Sequence, residues 1–257
     1  MKNLRIIARL DIKGPNLIKG VHLEGLRKLG DPNEYALRYY REGADELLYM
    51  DIVASLYGRN SLTDIIRRTA ENIFIPLTVG GGVRSIADVE TLLKAGADKV
   101  AINTQATRTP ELIGDVARRF GSQCMVVSIE AKRQGEGRWE AFVDNGREHT
   151  GYDVVEWARH AADLGAGEVL LTSVDREGTR NGLDVELARA VAGAVAVPVI
   201  LSGGFGKPQD LVTAVTEGMA DAIGIADALH YRRYSLAELR ATARANDIAV
   251  REPLRAD

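Results

Sequence analysis

A long internal repeat constrains this chain more than any other feature. Gly43-Ala-Asp-Glu-Leu-Leu-Tyr-Met, followed by Ile75-Pro-Leu-Thr-Val-Gly-Gly-Gly, returns as Gly165-Ala-Gly-Glu-Val-Leu-Leu-Thr, followed by Val197-Pro-Val-Ile-Leu-Ser-Gly-Gly. The offset is close to half of the 257 residues. The chain therefore reads as two fused halves of one domain, approximately 1–122 and 123–245. A second register pairs Leu10-Asp11-Ile12-Lys13 with Ile129-Glu130-Ala131-Lys132 and sets two carboxylates at equivalent places.

Short β-branched runs alternate with amphipathic helical stretches eight times, which is the pattern of a parallel sheet with crossover helices. Strands are expected near 4–11, 46–51, 74–79, 98–103, 124–130, 168–173, 197–202 and 221–226. Helices are expected at 32–43, with Asp31 as cap before Pro32, and at 85–96, with Ser85 as cap. Eight such units, with 46% apolar residues to fill a core, make an α/β protein of the (β/α)8 TIM barrel class in a single domain. Residues 13–30 and 132–150 are too long for ordinary βα turns, and both follow the twinned carboxylates. Trp139-Glu-Ala-Phe-Val and Asp144-Asn145-Gly146 read as a hairpin within the second. Long loops at this end of a barrel are where lids and substrate clamps sit.

A net charge of −3 with interspersed signs offers no basic face to nucleic acid. Arg5 and Arg9 interrupt the short apolar stretch at the N-terminus, so neither a signal peptide nor a membrane span is expected. The lone Cys124 cannot form an internal disulfide and suits a reducing cytoplasm. The four histidines, His22, His149, His160 and His230, show no metal-ligand spacing, and neither a metal nor a cofactor is implied.

Barrel enzymes gather their catalytic groups at the C-terminal ends of the strands, and Asp11 and Glu130 fall there on strands one and five. Two carboxylates facing one pocket divide into proton donor and acceptor when their environments separate their pKa values. Gly80-Gly81-Gly82 and Gly203-Gly204 leave backbone N–H groups bare after strands three and seven, and Ser85 and Lys207 open the helices beyond them. With Asn103-Thr104 and Ala226-Asp227 they would form two anion sites, suited to a ligand with a phosphate at each end. At the opposite rim, Arg5, Glu46, Lys99 and Glu168 occupy strand starts with side chains directed into the barrel. Two cations and two anions can close a ring of salt bridges there, as a structural plug or as a gate over an interior passage.

From Arg5 to about Arg251 the chain resembles the cyclase subunit of imidazole glycerol phosphate synthase. Gly30-Asp-Pro, Gly43-Ala-Asp-Glu-Leu, Pro76-Leu-Thr-Val-Gly-Gly-Gly, Gly96-Ala-Asp-Lys-Val, Phe120-Gly-Ser-Gln and Gly165-Ala-Gly-Glu-Val-Leu-Leu-Thr-Ser carry the match. The resemblance implies a lyase of histidine biosynthesis that receives ammonia from a glutaminase subunit docked at the N-terminal face, with Asp98 at that interface. Ammonia would pass the gate of Arg5, Glu46, Lys99 and Glu168 and add to a bisphosphorylated ribulosyl carboxamide ribotide. The products would be imidazole glycerol phosphate and an aminoimidazole carboxamide ribotide. Asp11 matches a catalytic aspartate, and Lys19 a substrate-loop lysine. Gly82, Asn103, Thr104 and Gly204 fall on phosphate-binding positions, and Thr172, Glu177, Gly178, Ser202, Ala226 and Asp227 complete the implied substrate contacts.

Four residues depart from the family's usual pattern. Glu130 and Glu177 stand where aspartates are usual, Arg9 where a small residue is usual, and Asp227 in place of a serine. All four lie at the reaction end, whereas the gate residues match. Arg9 needs a carboxylate partner, with Asp11, Glu130 and Glu177 the nearest candidates, and the Asp227 charge is expected to weaken anion binding. This distribution leaves open a paralogue that delivers glutaminase-derived ammonia to amidino-sugar or surface-polysaccharide synthesis, or a non-catalytic ammonia conduit. A half-barrel phosphosugar isomerase is a third reading, but it has no need of a charged gate.

Overall fold

The computed structural model describes residues 3–52 and 62–252. Its strands are β1 (Arg5–Lys13), β2 (Asn16–Val21), β3 (Glu24–Gly30), β4 (Glu46–Asp51), β5 (Leu77–Gly80), β6 (Lys99–Ile102), β7 (Met125–Gly135), β8 (Arg138–Val143), β9 (Glu148–Asp153), β10 (Glu168–Ser173), β11 (Val199–Ser202) and β12 (Ala222–Ile225). The parallel neighbours β1, β4, β5, β6, β7, β10, β11 and β12 follow one another around the sheet. The pairing of β12 with β1, Arg5 opposite Ala222 and Ala8 opposite Ile225, closes it. Helices cross between the strands, so the fold is a (β/α)8 barrel.

Side-chain alternation separates two cores. The outward residues of β1, Ile6, Ala8, Leu10 and Ile12, pack under the helices in the larger apolar cluster. Ile7, on the opposite face, joins Leu48, Val126, Leu170 and Ile200 inside the barrel. Charged or polar residues lie on either side of this interior plug along the same strand faces: Arg5 below it, Arg9 and Asp11 above it.

The repeated Gly-Ala-Asp stretch has a structural explanation. Gly43 and Gly96 adopt φ values of 89° and 117° where a helix turns into the next strand, a conformation that glycine reaches without strain. The alanine that follows is buried. The aspartate then accepts a hydrogen bond from the start of the preceding barrel strand: Asp45 from Ile6 N at 2.7 Å and Asp98 from Leu77 N at 2.8 Å. Asp221 serves Val199 N in the same way at 3.0 Å. These contacts fix the register at the N-terminal rim.

The helices begin at their expected caps. Asp31 accepts from Asn33 N and Ser85 from Asp88 N. The first helix ends at Arg41, two residues before the expected boundary, because Glu42 caps it and Gly43 turns the chain. Strands β5 and β11 start later than the hydrophobic runs suggest. Pro76 and Pro198 lack an N–H for the ladder, though their carbonyls still accept from Leu47 and Val169 at 2.9 and 3.0 Å.

Asp11 and Glu130 were expected to terminate their strands; instead β1 and β7 run on past them. Each strand folds back antiparallel into the insertion that follows. β1 pairs with β2, Asp11 opposite Ile18, and β2 with β3. β7 pairs with β8, Glu130 opposite Phe142, and β8 with β9. The chain between β8 and β9 turns through Asp144, Asn145 and Gly146, all at positive φ. Both long insertions are therefore sheet-anchored arms over the barrel mouth.

Candidate active site

Arg9 and Asp11 share the inner face of β1, one pleat apart. Arg9 is 4% and Asp11 3% exposed, so neither charge has water to stabilise it. They pair: Arg9 Nε donates to Asp11 Oδ1 at 2.9 Å. Its Nη1 donates to Thr172 Oγ1 at 2.9 Å on β10 and to Ser202 Oγ at 3.2 Å on β11. The guanidinium therefore reaches from β1 to the other half of the barrel. Burial alone would raise the Asp11 pKa, but the Arg9 charge, the Lys19 charge and the Arg9 hydrogen bond together hold it below the ordinary carboxylate range.

Glu130 lies in the opposite situation. Burial dominates and pushes its pKa up to about 7, against the opposing Gly146 N–H, the Arg9 charge and the Asn103 amide. Its Oε2 accepts from Gly146 N at 2.7 Å, so the turn between β8 and β9 positions the carboxyl. Asp11 is thus held ionised by its neighbours, while Glu130, which lines a cavity with Arg9, is pushed toward keeping its proton to near neutrality.

The cavity lined by Arg9 and Glu130 extends to Gly82, Asn103, Thr104 and Arg108. A second pocket contains Lys19, Glu177, Gly178, Ser202, Gly203, Gly204, Ala226 and Asp227. Gly81, Gly82, Gly203 and Gly204 all take positive φ. A Cβ on Gly81 would collide with the Asp51 carbonyl, and one on Gly204 with the Gly182 carbonyl. Arg9 lines the first pocket and bonds Ser202 of the second, so its guanidinium links the two glycine turns.

Lys19 forms a buried ion pair with Glu177. His22 N donates to the Glu177 carbonyl at 2.8 Å, and His22 Nδ1 lies 2.9 Å from the Val174 carbonyl. These contacts strap the β2–β3 arm onto the loop after β10. Asp227, expected to repel anions, is instead paired with two arginines: Arg180 Nε at 2.8 Å and Arg233 Nε at 3.2 Å from Oδ1. Its charge is compensated from a separate loop by Arg180 and from six residues on by Arg233. Three of the four unusual residues, Arg9, Glu177 and Asp227, are therefore ion-paired.

At the other rim, Arg5 pairs with Glu46 and Glu168, and Lys99 bonds Glu46 at 3.1 Å and Glu168 at 3.0 Å. The four side chains close a ring across the barrel floor. Asp98, beside Lys99, is engaged by Leu77 N.

Sequence reasoning missed Arg180, Arg233 and the Gly146 N–H, whose partners become neighbours only in the folded chain. His230 is 5% exposed, and burial lowers its pKa to about 3. Arg38 donates to Tyr39 Oη at 2.8 Å, and Tyr39 Oη lies 2.6 Å from His230 Nδ1. Tyr39 Oη accepts from Arg38 and shares a hydrogen bond with His230 Nδ1 whose direction follows the imidazole tautomer. Among the described residues, Nε2 has no hydrogen-bond partner, and no group of His, Cys, Asp and Glu is placed to hold a metal.

The fold and the site together define a class: a closed (β/α)8 barrel with a buried Arg9–Asp11 pair, Glu130 and two glycine turns at one end and a ring of ion pairs at the other. Within that class the chain belongs to the family of histidine biosynthesis proteins, whose family model matches residues 5–235. A curated relative from Legionella pneumophila, imidazole glycerol phosphate synthase subunit HisF, is 68% identical over 210 residues, 82% of this chain and 99% of its own length. A protein of the same name from Dehalococcoides mccartyi is 48% identical over 251 residues, 98% of this chain and 99% of its own.

Proposed function

We propose that this chain is the cyclase subunit of an imidazole glycerol phosphate synthase, a lyase-type enzyme of histidine biosynthesis. The observation that carries the reading is Arg9, which bonds Asp11 and Ser202 and lines the cavity that Glu130 shares with Gly82, Asn103 and Thr104. Family membership supplies the substrate class. A bisphosphorylated ribulosyl carboxamide ribotide would seat one phosphate at Gly82, Asn103 and Thr104 and the other at Gly178, Gly204, Ala226 and Asp227. Its reacting carbonyl then lies between the two carboxyl groups, and Lys19 on the β2–β3 arm reaches the same space with Thr172, Ser202 and Glu177.

Ammonia addition to that carbonyl moves one proton from nitrogen to oxygen and gives a carbinolamine; loss of water moves a second, with the two carboxyl groups' roles reversed, and leaves a C=N bond. Glu130, protonated near neutral pH, donates to the oxygen. Asp11, kept ionised by Arg9, accepts from the nitrogen. Ring closure and release of the aminoimidazole carboxamide ribotide repeat the exchange with the roles returned. Holding both phosphates sets the substrate across the pair and reduces the entropic part of the barrier.

The ammonia comes from a glutaminase partner at the N-terminal rim, entering past Arg5, Glu46, Lys99 and Glu168, with Asp98 at the contact surface. The lone buried Cys124 suits the reducing cytoplasm in which such a pathway would run. No described helix is long and apolar enough to cross a membrane.

The test supplies ammonium salt and the ribotide to the purified chain and follows product absorbance. Turnover that falls by about 10²-fold or more in Asp11→Asn and in Glu130→Gln supports the reading. Absence of turnover above those variants refutes it, and glutaminase activation without ribotide consumption would instead mark a conduit.

A further inference from the structure

An isolated Asp227 carboxylate at the edge of the Gly203–Gly204 pocket would oppose a phosphate. Its neighbours reverse that sign. Arg180 grips it through two bonds, Nε to Oδ1 at 2.8 Å and Nη2 to Oδ2 at 3.1 Å. Arg233 Nε adds a third at 3.2 Å. One carboxylate thus gathers two guanidiniums, and the cluster has a net positive charge.

The backbone holds Arg180 in this place. Its φ is 62°, a left-handed conformation that costs a non-glycine residue energy and persists only where the surroundings enforce it. Its carbonyl packs against Gly206 so closely that a Cβ there would collide. Two residues on, Gly182 N donates to Gly204 O at 2.9 Å. The loop that holds Arg180 is therefore laced to the glycine turn that would receive the phosphate. The Asp227 pair occupies the Nε edge of the guanidinium, and the Nη1 donors on the other edge remain to engage a further acceptor.

We infer that Arg180, oriented by Asp227 and flanked by Arg233, clamps the phosphate seated on the Gly203–Gly204 turn and sets specificity for a dianionic group at that end of the substrate. The inference rests on the bisphosphate reading above. Asp227 acts through Arg180 as a positioning residue. A charge-assisted hydrogen bond of this kind contributes about ten- to a hundredfold in affinity.

Steady-state kinetics of four variants test it. Arg180→Ala is expected to raise KM for the ribotide about ten- to a hundredfold with a much smaller change in kcat. Arg180→Lys keeps the charge but lacks the fork, and should recover only part of the loss. Asp227→Ser should also raise KM, because the guanidinium loses its anchor, and should add little in an Arg180→Ala background. Simple repulsion by Asp227 requires the opposite sign. An unchanged KM in Arg180→Ala, or a KM in Asp227→Ser equal to or below that of the parent, overturns the inference. Calorimetric titration with inorganic phosphate separates this from the cyclase reading: weaker binding in Arg180→Ala supports the clamp even if the ribotide is not turned over, and equal binding defeats it. Thermal melts confirm that each variant is folded.

Discussion

Arg9 and Asp11 form a buried ion pair at 2.9 Å between successive inward residues of one strand, and this pair governs the protonation of the site. An adjacent guanidinium keeps Asp11 charged despite burial. Glu130, across the mouth, has burial as its strongest influence and retains a proton to about pH 7. Under the proposed mechanism, the contact Arg9 makes is what divides the acid role from the base role.

The first prediction concerns pH and rate. Glu130 is protonated below about pH 7 and ionised above it, while Asp11 stays ionised to well below that range. If Glu130 donates the proton, kcat/KM falls on the alkaline side with a midpoint near 7. Ammonium-driven rates, corrected for the free-ammonia concentration, measure this limb, and a profile without it contradicts the assignment.

Stability carries the same signature with a definite sign. Glu130 holds its proton to about pH 7 in the folded chain but releases it near 4.5 when unfolded. Between those values the native state binds the extra proton, so stability falls as pH rises through the window. The span corresponds to about 3 kcal/mol. Glu130→Gln removes the term: denaturant unfolding should show the variant more stable than the parent by up to about 3 kcal/mol above neutrality, and no such gain at about pH 4.

Breaking the Arg9–Asp11 pair from one side leaves a buried charge alone. Arg9→Met should destabilise the fold by about 3–5 kcal/mol, and Asp11→Asn in the same background should recover much of that loss. Urea unfolding of the four members of the cycle measures the coupling; additive effects would mean the pair is not a unit.

Much of the fold could be read from residues alone, because parallel barrels repeat one unit and leave that unit's spacing in the sequence. The Gly-Ala-Asp turns, the helix caps at Asp31 and Ser85, and the alternation of Arg5, Ile7, Arg9 and Asp11 are local patterns of this kind. Long-range pairings leave no such trace. Nothing near Asp227 announces Arg180, which reaches it from a different loop, and nothing near Glu130 announces that Gly146 N lies 2.7 Å away. Arg9 had three candidate partners by position on the barrel, and only packing selects Asp11.

The floor of the barrel gives a further test. Lys99 bonds both Glu46 and Glu168, and removing it leaves two nearly buried glutamates sharing Arg5. If the ring controls entry of ammonia, Lys99→Ala should lower the ratio of glutamine-driven to ammonium-driven turnover by a factor of about five or more when the glutaminase partner is present. An unchanged ratio would assign the ring a structural role only.

The β2–β3 arm is held over the site through Lys19 and Glu177. Glu177→Gln weakens that strap and leaves the Lys19 charge without its partner. Amide hydrogen exchange across residues 16–30 should speed up in this variant while exchange in β1 stays slow. Equal protection would place the anchoring elsewhere, in the His22 backbone contact.

The most direct test is infrared difference spectroscopy of the folded chain as pH is raised from about 5 to about 9, with Asp11→Asn and Glu130→Gln used to assign the carboxyl bands. The expected result is a protonated carboxyl signal that disappears near pH 7 and is missing in Glu130→Gln, with Asp11 ionised throughout. A Glu130 already ionised at about pH 5, or an Asp11 that titrates together with it, would contradict the division of acid and base on which the mechanism stands.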